Sequence, residues 1–168
     1  MSNKTLVLNS KQIEQKINRI AYEIYENNYE EKEIIIAGIA SNGYILAEKI
    51  AKVLQNISPI KTKLIKIILD KENPIGEEIS SPLSEKEAKN KVIVLVDDVL
   101  NSGKTLIYGA RCFLNSPLKR LSTVVLVDRN HTRYPVKADF VGISMSTTLQ
   151  EHISVELQNK EKNAVYLM

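Results

Sequence analysis

The chain has a single cysteine and lacks any apolar run long enough to cross a bilayer. One cysteine excludes a disulfide within the chain. Cys112 also falls on the predicted buried face of a helix, where packing explains it better than nucleophilic chemistry. Residues 1–10 contain no apolar stretch of the length that a signal peptide needs. We therefore expect a cytoplasmic protein.

The chain also lacks the dense basic footprint that is typical of a general nucleic-acid binder. Its formal charge is +3 and its isoelectric point is about 8.8, which permits an anionic ligand but does not require one. Its length of 168 residues fits one domain, and 43% hydrophobic residues can form a sizeable core. There is no internal repeat, low-complexity tract or domain linker, so we predict a single domain over residues 1–168.

Three common ligand-binding motifs are missing as well. A P-loop needs a glycine five positions before the glycine of its Gly-Lys pair, and counting back from Gly103 that position is Asp98. No G-x-G-x-x-G follows a predicted strand, which excludes the common dinucleotide-binding fingerprint. His131, His152 and the one cysteine do not make a structural zinc site.

What the chain does have is an alternation of strand-like and helix-like apolar segments. After a short apolar stretch at residues 6–8, Asn9 or Ser10 can cap a helix with one apolar face. The predicted strands are Ile34–Ile39, Lys63–Leu69, Val92–Val96, Thr123–Val127 and Phe140–Met145, with edge strands at Glu151–Leu157 and Ala164–Met168. The helices between them include Tyr44–Leu54 and Thr105 to about Asn115. This order predicts an α/β fold: a three-layer, mostly parallel sheet with helices on both faces.

Residues 91–106 carry the strongest chemical signal. An apolar strand is followed by two adjacent carboxylates, Asp97 and Asp98, where we expect the strand to end. Asn101 to Thr105 then lead into a predicted helix, whose first backbone N–H groups can hold a phosphate. Acids beside such a loop suit a ligand that carries both a phosphate and a polyol.

Two further loops are expected at the same edge of the sheet. Residues 38–43 and 128–131 each follow a predicted strand, as residues 97–105 do. Ligands of parallel α/β sheets bind at the carboxyl ends of the strands. The agreement of three independent loops therefore predicts one shared site.

Residues 70–90 form the most polar part of the chain and show no clear period. A segment of this length inside a compact domain is often a lid or a binding loop. A long disordered hairpin is the alternative. We predict a candidate flexible lid, or small hood, over this range.

The strand, acid pair and hydroxylic loop resemble the phosphoribosyl-diphosphate signature of the type I phosphoribosyltransferases. The similarity extends over nearly the whole chain, through SKQIEQKINRIAYEIYENN, IIIAGIASNGYILAEKIA and VVLVDRNHTRYPVKADFVGISMSTT. These segments look like the family of bifunctional pyrimidine operon attenuators and uracil phosphoribosyltransferases. The tail segment DRNHTRYPVKADFVG is the one that points to this branch.

The resemblance implies an enzyme that transfers ribose 5-phosphate from phosphoribosyl diphosphate to a nucleobase, with uracil expected, in pyrimidine salvage. Asp97 and Asp98 would bind the ribose hydroxyls, and Mg²⁺ would bridge pyrophosphate and ribose oxygens, with no ligand assigned to it from the protein itself. The other implied ligand contacts are Asn101, Ser102, Gly103, Lys104 and Thr105 for the 5′-phosphate, Ala40, Ser41, Asn42 and Gly43 for the pyrophosphate, and Val127, Asp128 and Arg129 for the base.

This chain departs from its relatives at two places. They carry Thr-Arg-Gly in the pyrophosphate turn, where this chain has Ser41-Asn42-Gly43. Their lid begins with a Tyr-Arg-Asp-Asp-like stretch, where this chain has Leu69-Asp70-Lys71-Glu72, and Lys71 is a candidate replacement for the missing charge. A nucleotide-sensing regulatory protein, binding RNA or another protein with reduced or lost catalysis, is therefore the alternative function.

RNA is the less favoured partner. In the attenuators, basic residues of the first helix and of the DR-x-H segment contact the transcript. Arg19, Arg129 and His131 match that pattern, whereas relatives tend to carry arginine at the positions of Gln15, Asn27 and Thr132. Losing phosphate contacts weakens affinity for RNA. A homodimer is expected from the resemblance alone.

Overall fold

The continuous apolar strands belong to a central sheet that is covered on both faces. The computed structural model describes residues 3–75, 79, 81–159 and 161–168. The five strands of this sheet are β2 (Glu33–Ile39), β3 (Lys61–Ile67), β4 (Val92–Leu100), β5 (Arg120–Asp128) and β6 (Phe140–Ser144). They pair in the order β3-β2-β4-β5-β6, and every pairing is parallel. The predicted α/β fold is thus confirmed.

Alternating side chains of β2 face opposite layers. Ile34 and Ile36 pack into the cluster formed with α1 (Ser10–Asn28) and α2 (Asn42–Ile57). Ile35 and Ala37 pack into the cluster on the other face, with α3 (Glu85–Ala88) and α4 (Lys104–Arg111). Since both faces are covered, the strand residues that pack into these two layers are mostly apolar.

A second, smaller sheet lies beside the main one. It contains β1 (Thr5–Leu8), β7 (Ile153–Glu156) and β8 (Ala164–Leu167) in the antiparallel order β1-β8-β7, and we call it the hood sheet. Predicting both C-terminal segments as edge strands was correct for β7 and wrong for β8, which lies in the middle. The reason is that residues 5–8, which the sequence showed only as a short apolar stretch, form a strand that pairs with β8.

The acid pair does not end its strand. We expected the strand to stop at Val96, but β4 continues through Asp97 and Asp98 to Leu100. The extension follows from pairing with β5, in which Asp97 lies opposite Val125 and Leu100 lies opposite Asp128. The following helix begins at Lys104, one residue earlier than predicted, and ends earlier, at Arg111.

Part of the predicted lid is helical. A capping box between Ser84 and Glu87 begins α3, a helix that the polar composition of residues 70–90 concealed. The S-x-x-E spacing was the sequence signal for it. Residues 76–78 and 80 of the predicted lid lie outside the described residues.

Among the described residues, no helix combines the length and the apolar composition that crossing a bilayer requires. Cys112 is partly buried and packs against the cluster of α3 and α4, as predicted, and burial raises the pKa of its thiol.

Candidate active site

The acid pair lines a cavity of about 220 Å³ at the carboxyl end of β4. The Asp97 side chain is 2% exposed and the Asp98 side chain 14%. The cavity is lined by Lys71 and by residues 97–106, which include the whole predicted phosphate loop. The sequence-predicted ribose and 5′-phosphate residues therefore surround one space.

The two carboxylates are oriented by their own backbone. Oδ1 of Asp97 accepts a hydrogen bond from the N–H of Asp98 at 2.9 Å, and Oδ1 of Asp98 accepts one from the N–H of Val99 at 2.9 Å. Each carboxylate thus accepts, with one oxygen, a hydrogen bond from the backbone N–H of the next residue. Oδ2 of Asp98 is held by a different element, the start of α2.

Burial raises the pKa of Asp97 to about 7, and the neighbouring charge of Asp98 adds to this effect. The ammonium of Lys71 opposes it, because a cation favours the ionised carboxylate. Nζ of Lys71 lies 3.0 Å from Oδ1 of Asp97 and 3.6 Å from Oδ1 of Asp98. Burial lowers the pKa of Lys71, but the two carboxylates outweigh burial and leave that pKa raised.

The first residues of the predicted lid lie across this cavity. Lys71 bonds the acid pair, and the Nζ of Lys104 donates to the carbonyl of Glu72 at 3.2 Å. Lys71 was only a candidate on sequence grounds. Its position facing both acids is a tertiary result, since residues 71 and 97 are brought together by neither local spacing nor strand pairing.

The loop before α4 has a tight, left-handed turn at Gly103, where φ is +84°. A Cβ at this position would lie 2.3 Å from Cγ1 of Val136, so the loop needs glycine for space as well as for conformation. The hydroxyl of Ser102 accepts a hydrogen bond from the N–H of Lys104 at 3.2 Å. Thr105 lies in the first turn of α4 and also lines the cavity.

The predicted pyrophosphate turn, residues 40–43, approaches the acid pair from β2. A Cβ on Gly43 would meet the carbonyl oxygen of Val96 at 2.7 Å and Cα of Asp97 at 2.9 Å, so the turn packs directly against β4. Nδ2 of Asn42 donates to Oδ2 of Asp98 at 3.1 Å. The peptide bond between Ala40 and Ser41 is cis, and the N–H of Ala40 donates to Ile67 of β3 at 2.9 Å.

The end of β5 contains the three predicted base contacts. Val127 is buried, and Oδ1 of Asp128 accepts a hydrogen bond from the N–H of Asn130 at 2.8 Å. The Arg129 guanidinium is engaged through all three nitrogens by the phosphate loop and by residues 147–151. The partners at Thr147, Thr148 and Glu151 were missed from sequence, because polar residues in a loop give no signal of a distant arginine.

Two residues of the RNA-contact pattern, Arg19 and His131, lie outside the acid cavity. Arg19 pairs with Glu23 at 2.7 Å, and its other terminal nitrogen donates to the carbonyls of Val141 and Gly142 at 2.9 and 2.7 Å. The imidazole Nε2 of His131 contacts the carbonyl oxygen of Thr147. Both side chains therefore have partners within the fold.

Comparison with known proteins agrees with this geometry. Residues 5–160 match the family model described as phosphoribosyl transferase domain. The bifunctional protein PyrR of Macrococcus caseolyticus is 31% identical over 172 residues, covering 98% of this chain and 99% of the relative. The bifunctional protein PyrR of Clostridium novyi is 34% identical over 167 residues, covering 92% and 91%.

Solved structures show the same fold at lower sequence identity. A hypoxanthine phosphoribosyltransferase of Trypanosoma cruzi superposes with a TM-score of 0.76 at 14% identity, covering 96% of this chain and 95% of that one. The fold, the matched domain and the near full-length identity to curated relatives lead to one assignment. The chain belongs to the phosphoribosyl transferase domain family, in the branch of the bifunctional PyrR proteins.

Proposed function

We propose that the protein transfers ribose 5-phosphate from phosphoribosyl diphosphate to uracil, releasing pyrophosphate, in pyrimidine salvage. One observation carries this proposal. The carboxylates of Asp97 and Asp98 and the whole loop of residues 101–105 line a single cavity, together with Lys71. Carboxylates suit the ribose hydroxyls, while backbone N–H groups at a helix N-terminus suit the 5′-phosphate.

In the proposed reaction, a ring nitrogen of the base forms a bond to C1 of the ribose. The bond from C1 to the pyrophosphate oxygen breaks, and pyrophosphate leaves with the electron pair. The base gives up its proton to solvent. Positive charge develops on the sugar in the transition state, and the buried acid pair stabilises it because charges interact strongly where water is excluded.

The pyrophosphate contact is proposed to be shared between the turn at residues 40–43 and the lid. Asn42 contributes no charge, and its side-chain nitrogen already donates to Asp98 and to the carbonyl of Val155. Lys71 lies in the same cavity and brings a positive charge there. We infer that Lys71 moves from the acid pair to the pyrophosphate when substrate binds.

Mg²⁺ fits this site only in combination with substrate. The acid pair already faces one cation, the Lys71 ammonium, so a positive charge is compatible with its surroundings. Among the described residues, no group of three or more His, Cys, Asp or Glu side chains could hold a metal ion alone. When bound, Mg²⁺ would neutralise charge on the pyrophosphate through oxygen ligands of the substrate and water.

Four further features remain predictions. The end of β5, Val127 to Arg129, borders the base, and residues 70–90 act as the lid over a single domain. A homodimer and a cytoplasmic location are also expected. They are supported by membership of the family and, for the lid, by the contacts of its first residues with the acid pair and with Lys104.

The test is pyrophosphate release from phosphoribosyl diphosphate in the presence of uracil, with other pyrimidines and purines as a panel. We expect uracil-dependent release that falls about 100-fold or more in Asp98→Asn, because an acid that stabilises transition-state charge is lost. Glu26→Gln removes one negative charge from an exposed position of α1 and serves as the control. If phosphoribosyl diphosphate binds normally and no base of the panel reacts, the proposed enzymatic function is rejected.

A nucleotide-sensing regulatory protein is the second candidate, and the neutral Asn42 in the pyrophosphate turn favours it. In that case uridine monophosphate would bind and change the affinity for RNA or for a protein partner. A gel-shift with and without the nucleotide measures this. RNA contacts through Arg19 and His131 would require these side chains to exchange their present partners, and equal RNA binding by Arg19→Gln would exclude that part of the prediction.

A further inference from the structure

Arg129 connects two segments that are far apart in the chain. Its NH1 donates to Oδ1 of Asn101, in the phosphate loop, at 2.8 Å. Its Nε donates to the hydroxyl of Thr147 at 2.9 Å. Its NH2 donates to the carbonyls of Thr148 and Glu151 at 3.2 and 2.7 Å. A single planar group thus spans the phosphate loop and the segment of residues 147–151, which we call the strap.

The residues around Arg129 also support the phosphate loop through backbone hydrogen bonds. The backbone N–H of Arg129 donates to the carbonyl of Leu100 at 3.1 Å. The carbonyl of Ser102 accepts from the N–H groups of Arg133 and Tyr134 at 2.8 and 3.1 Å. The segment that follows β5 therefore fixes the loop through backbone hydrogen bonds, and Arg129 is the side chain by which this support continues into the strap.

The strap is closed on itself and leads directly into the hood sheet. The N–H of Thr148 donates to Oε2 of Glu151 at 2.6 Å, and the N–H of Glu151 donates to the hydroxyl of Thr148 at 3.3 Å. The next strand, β7, supplies the Val155 carbonyl that accepts from Asn42. The strap is therefore linked to the end of β5 through Arg129 and to the predicted pyrophosphate turn through β7.

We propose that Arg129 is a positioning residue that couples occupancy of the phosphate loop to the placement of the strap. This rests on the proposed function, because it takes the ligand of the loop to be the 5′-phosphate of phosphoribosyl diphosphate. A phosphate that orders Asn101 also orders the guanidinium, and the guanidinium holds three acceptors of the strap at once. Lysine cannot replace it, since an ammonium is a point donor without the fixed fork of arginine.

The experiment is amide hydrogen exchange of the full chain with and without phosphoribosyl diphosphate. In the unsubstituted protein, we expect slower exchange in residues 101–105 and also in residues 147–151. In Arg129→Gln and Arg129→Lys, the ligand should still slow exchange at residues 101–105, whereas protection of the strap should fall about tenfold or more, the ratio expected when charged hydrogen bonds are lost.

Arg120→Gln is the matched control. Arg120 begins β5 at its other end, and its NH1 donates to the carbonyl of Asn27 at 2.7 Å, so the variant removes a hydrogen-bonded guanidinium from the same strand. In Arg120→Gln, ligand-dependent protection of residues 101–105 and 147–151 should equal that in the unsubstituted protein. If the role of Arg129 were purely structural, Arg129→Gln would lower the free energy of unfolding, and ligand-dependent protection would fall equally at residues 101–105 and 147–151.

Kinetics give a second readout. Arg129→Gln should raise KM for phosphoribosyl diphosphate by about tenfold with the base at saturation. Asn101→Ala should raise the same KM, and in the double variant the rise should be smaller than the product of the two single effects. If Arg129→Gln does not fold, Thr147→Val removes one acceptor from the strap and is measured by the same exchange experiment.

The outcomes separate the two proposals. Absence of ligand-dependent protection at residues 101–105 in the unsubstituted protein would overturn the proposed function, and this inference with it. Protection at 101–105 with an unchanged strap would overturn the coupling alone. Equal strap protection in Arg129→Gln and in the unsubstituted protein would likewise overturn it.

Discussion

The side-chain amide of Asn42 lies 3.1 Å from Oδ2 of Asp98 and joins the start of α2 to the acid pair. The same nitrogen donates to the carbonyl of Val155 at 2.9 Å. Asn42 is therefore a neutral link between the turn at residues 40–43, β4 and the hood sheet.

A positive charge at position 42 should tighten substrate binding. We expect Asn42→Arg to lower KM for phosphoribosyl diphosphate by about tenfold, because a guanidinium forms charge-assisted bonds to phosphate oxygens. Steady-state kinetics with the base at saturation measure it. Asn42→Gln keeps the amide without the charge and should give no such gain. An unchanged or higher KM in the arginine variant would show that the turn does not contact pyrophosphate.

Stability should decrease with rising pH because of Asp97. Its folded-state pKa of about 7 lies above the ordinary value of 3.8, so the folded protein retains a proton that the unfolded chain releases. Between these values the contribution of this group to the free energy of unfolding falls as pH rises, by up to about 1.4 kcal/mol per pH unit.

Urea unfolding from about pH 5 to about pH 8 tests this on the unsubstituted protein and on Asp97→Asn. The asparagine variant should lose the decline between these pH values because it has no proton to release. Parallel curves for the two proteins would mean that Asp97 is ionised throughout the range.

Lys71 should set the pH at which the acid pair becomes usable. Removing its positive charge in Lys71→Gln raises the pKa of Asp97 further, so the carboxylate ionises only at higher pH. The acid limb of the kcat/KM profile for phosphoribosyl diphosphate should move up by about one pH unit. Lys71→Arg, which keeps the charge, should stay near the original profile, as should Lys61→Gln at the exposed start of β3. If the acid limb of the kcat/KM profile does not move in Lys71→Gln, Lys71 does not influence the ionisation of Asp97.

Gly103 should not tolerate a side chain. Gly103→Ala places a residue at a φ of +84° with its Cβ 2.3 Å from Val136, and we expect a loss of about 2 kcal/mol or more in the free energy of unfolding. Gly109→Ala is the control, because the first contact of its Cβ is the flexible end of Ile39 at 3.0 Å. Val136→Ala in the Gly103→Ala background should recover part of the loss by removing the clash. Urea unfolding of these variants provides the comparison.

The α/β fold and the acid cavity were predictable from the sequence, whereas several boundaries were not. Apolar runs such as Ile34–Ile39 are distinctive because only a strand buried on both faces needs them. The end of β4 was misjudged because two carboxylates normally signal exposure, and pairing with β5 overrides that preference. The role of residues 5–8 as a strand became visible only through their pairing with β8.

The sequence by itself determined the acid pair, the loop of residues 101–105 and their common edge of the sheet. Both follow the apolar run of one predicted strand, and the carboxyl ends of parallel strands share one edge, so Asp97, Asp98 and residues 101–105 were expected to meet there. Tertiary structure alone decided what faces them. Lys71 reaches the acids from the predicted lid, Asn42 joins Asp98 to the hood sheet, and Arg129 joins Asn101 to the strap. Each of these contacts is made by a polar side chain that reaches a segment distant in the sequence. No local sequence pattern specifies which distant segments come together.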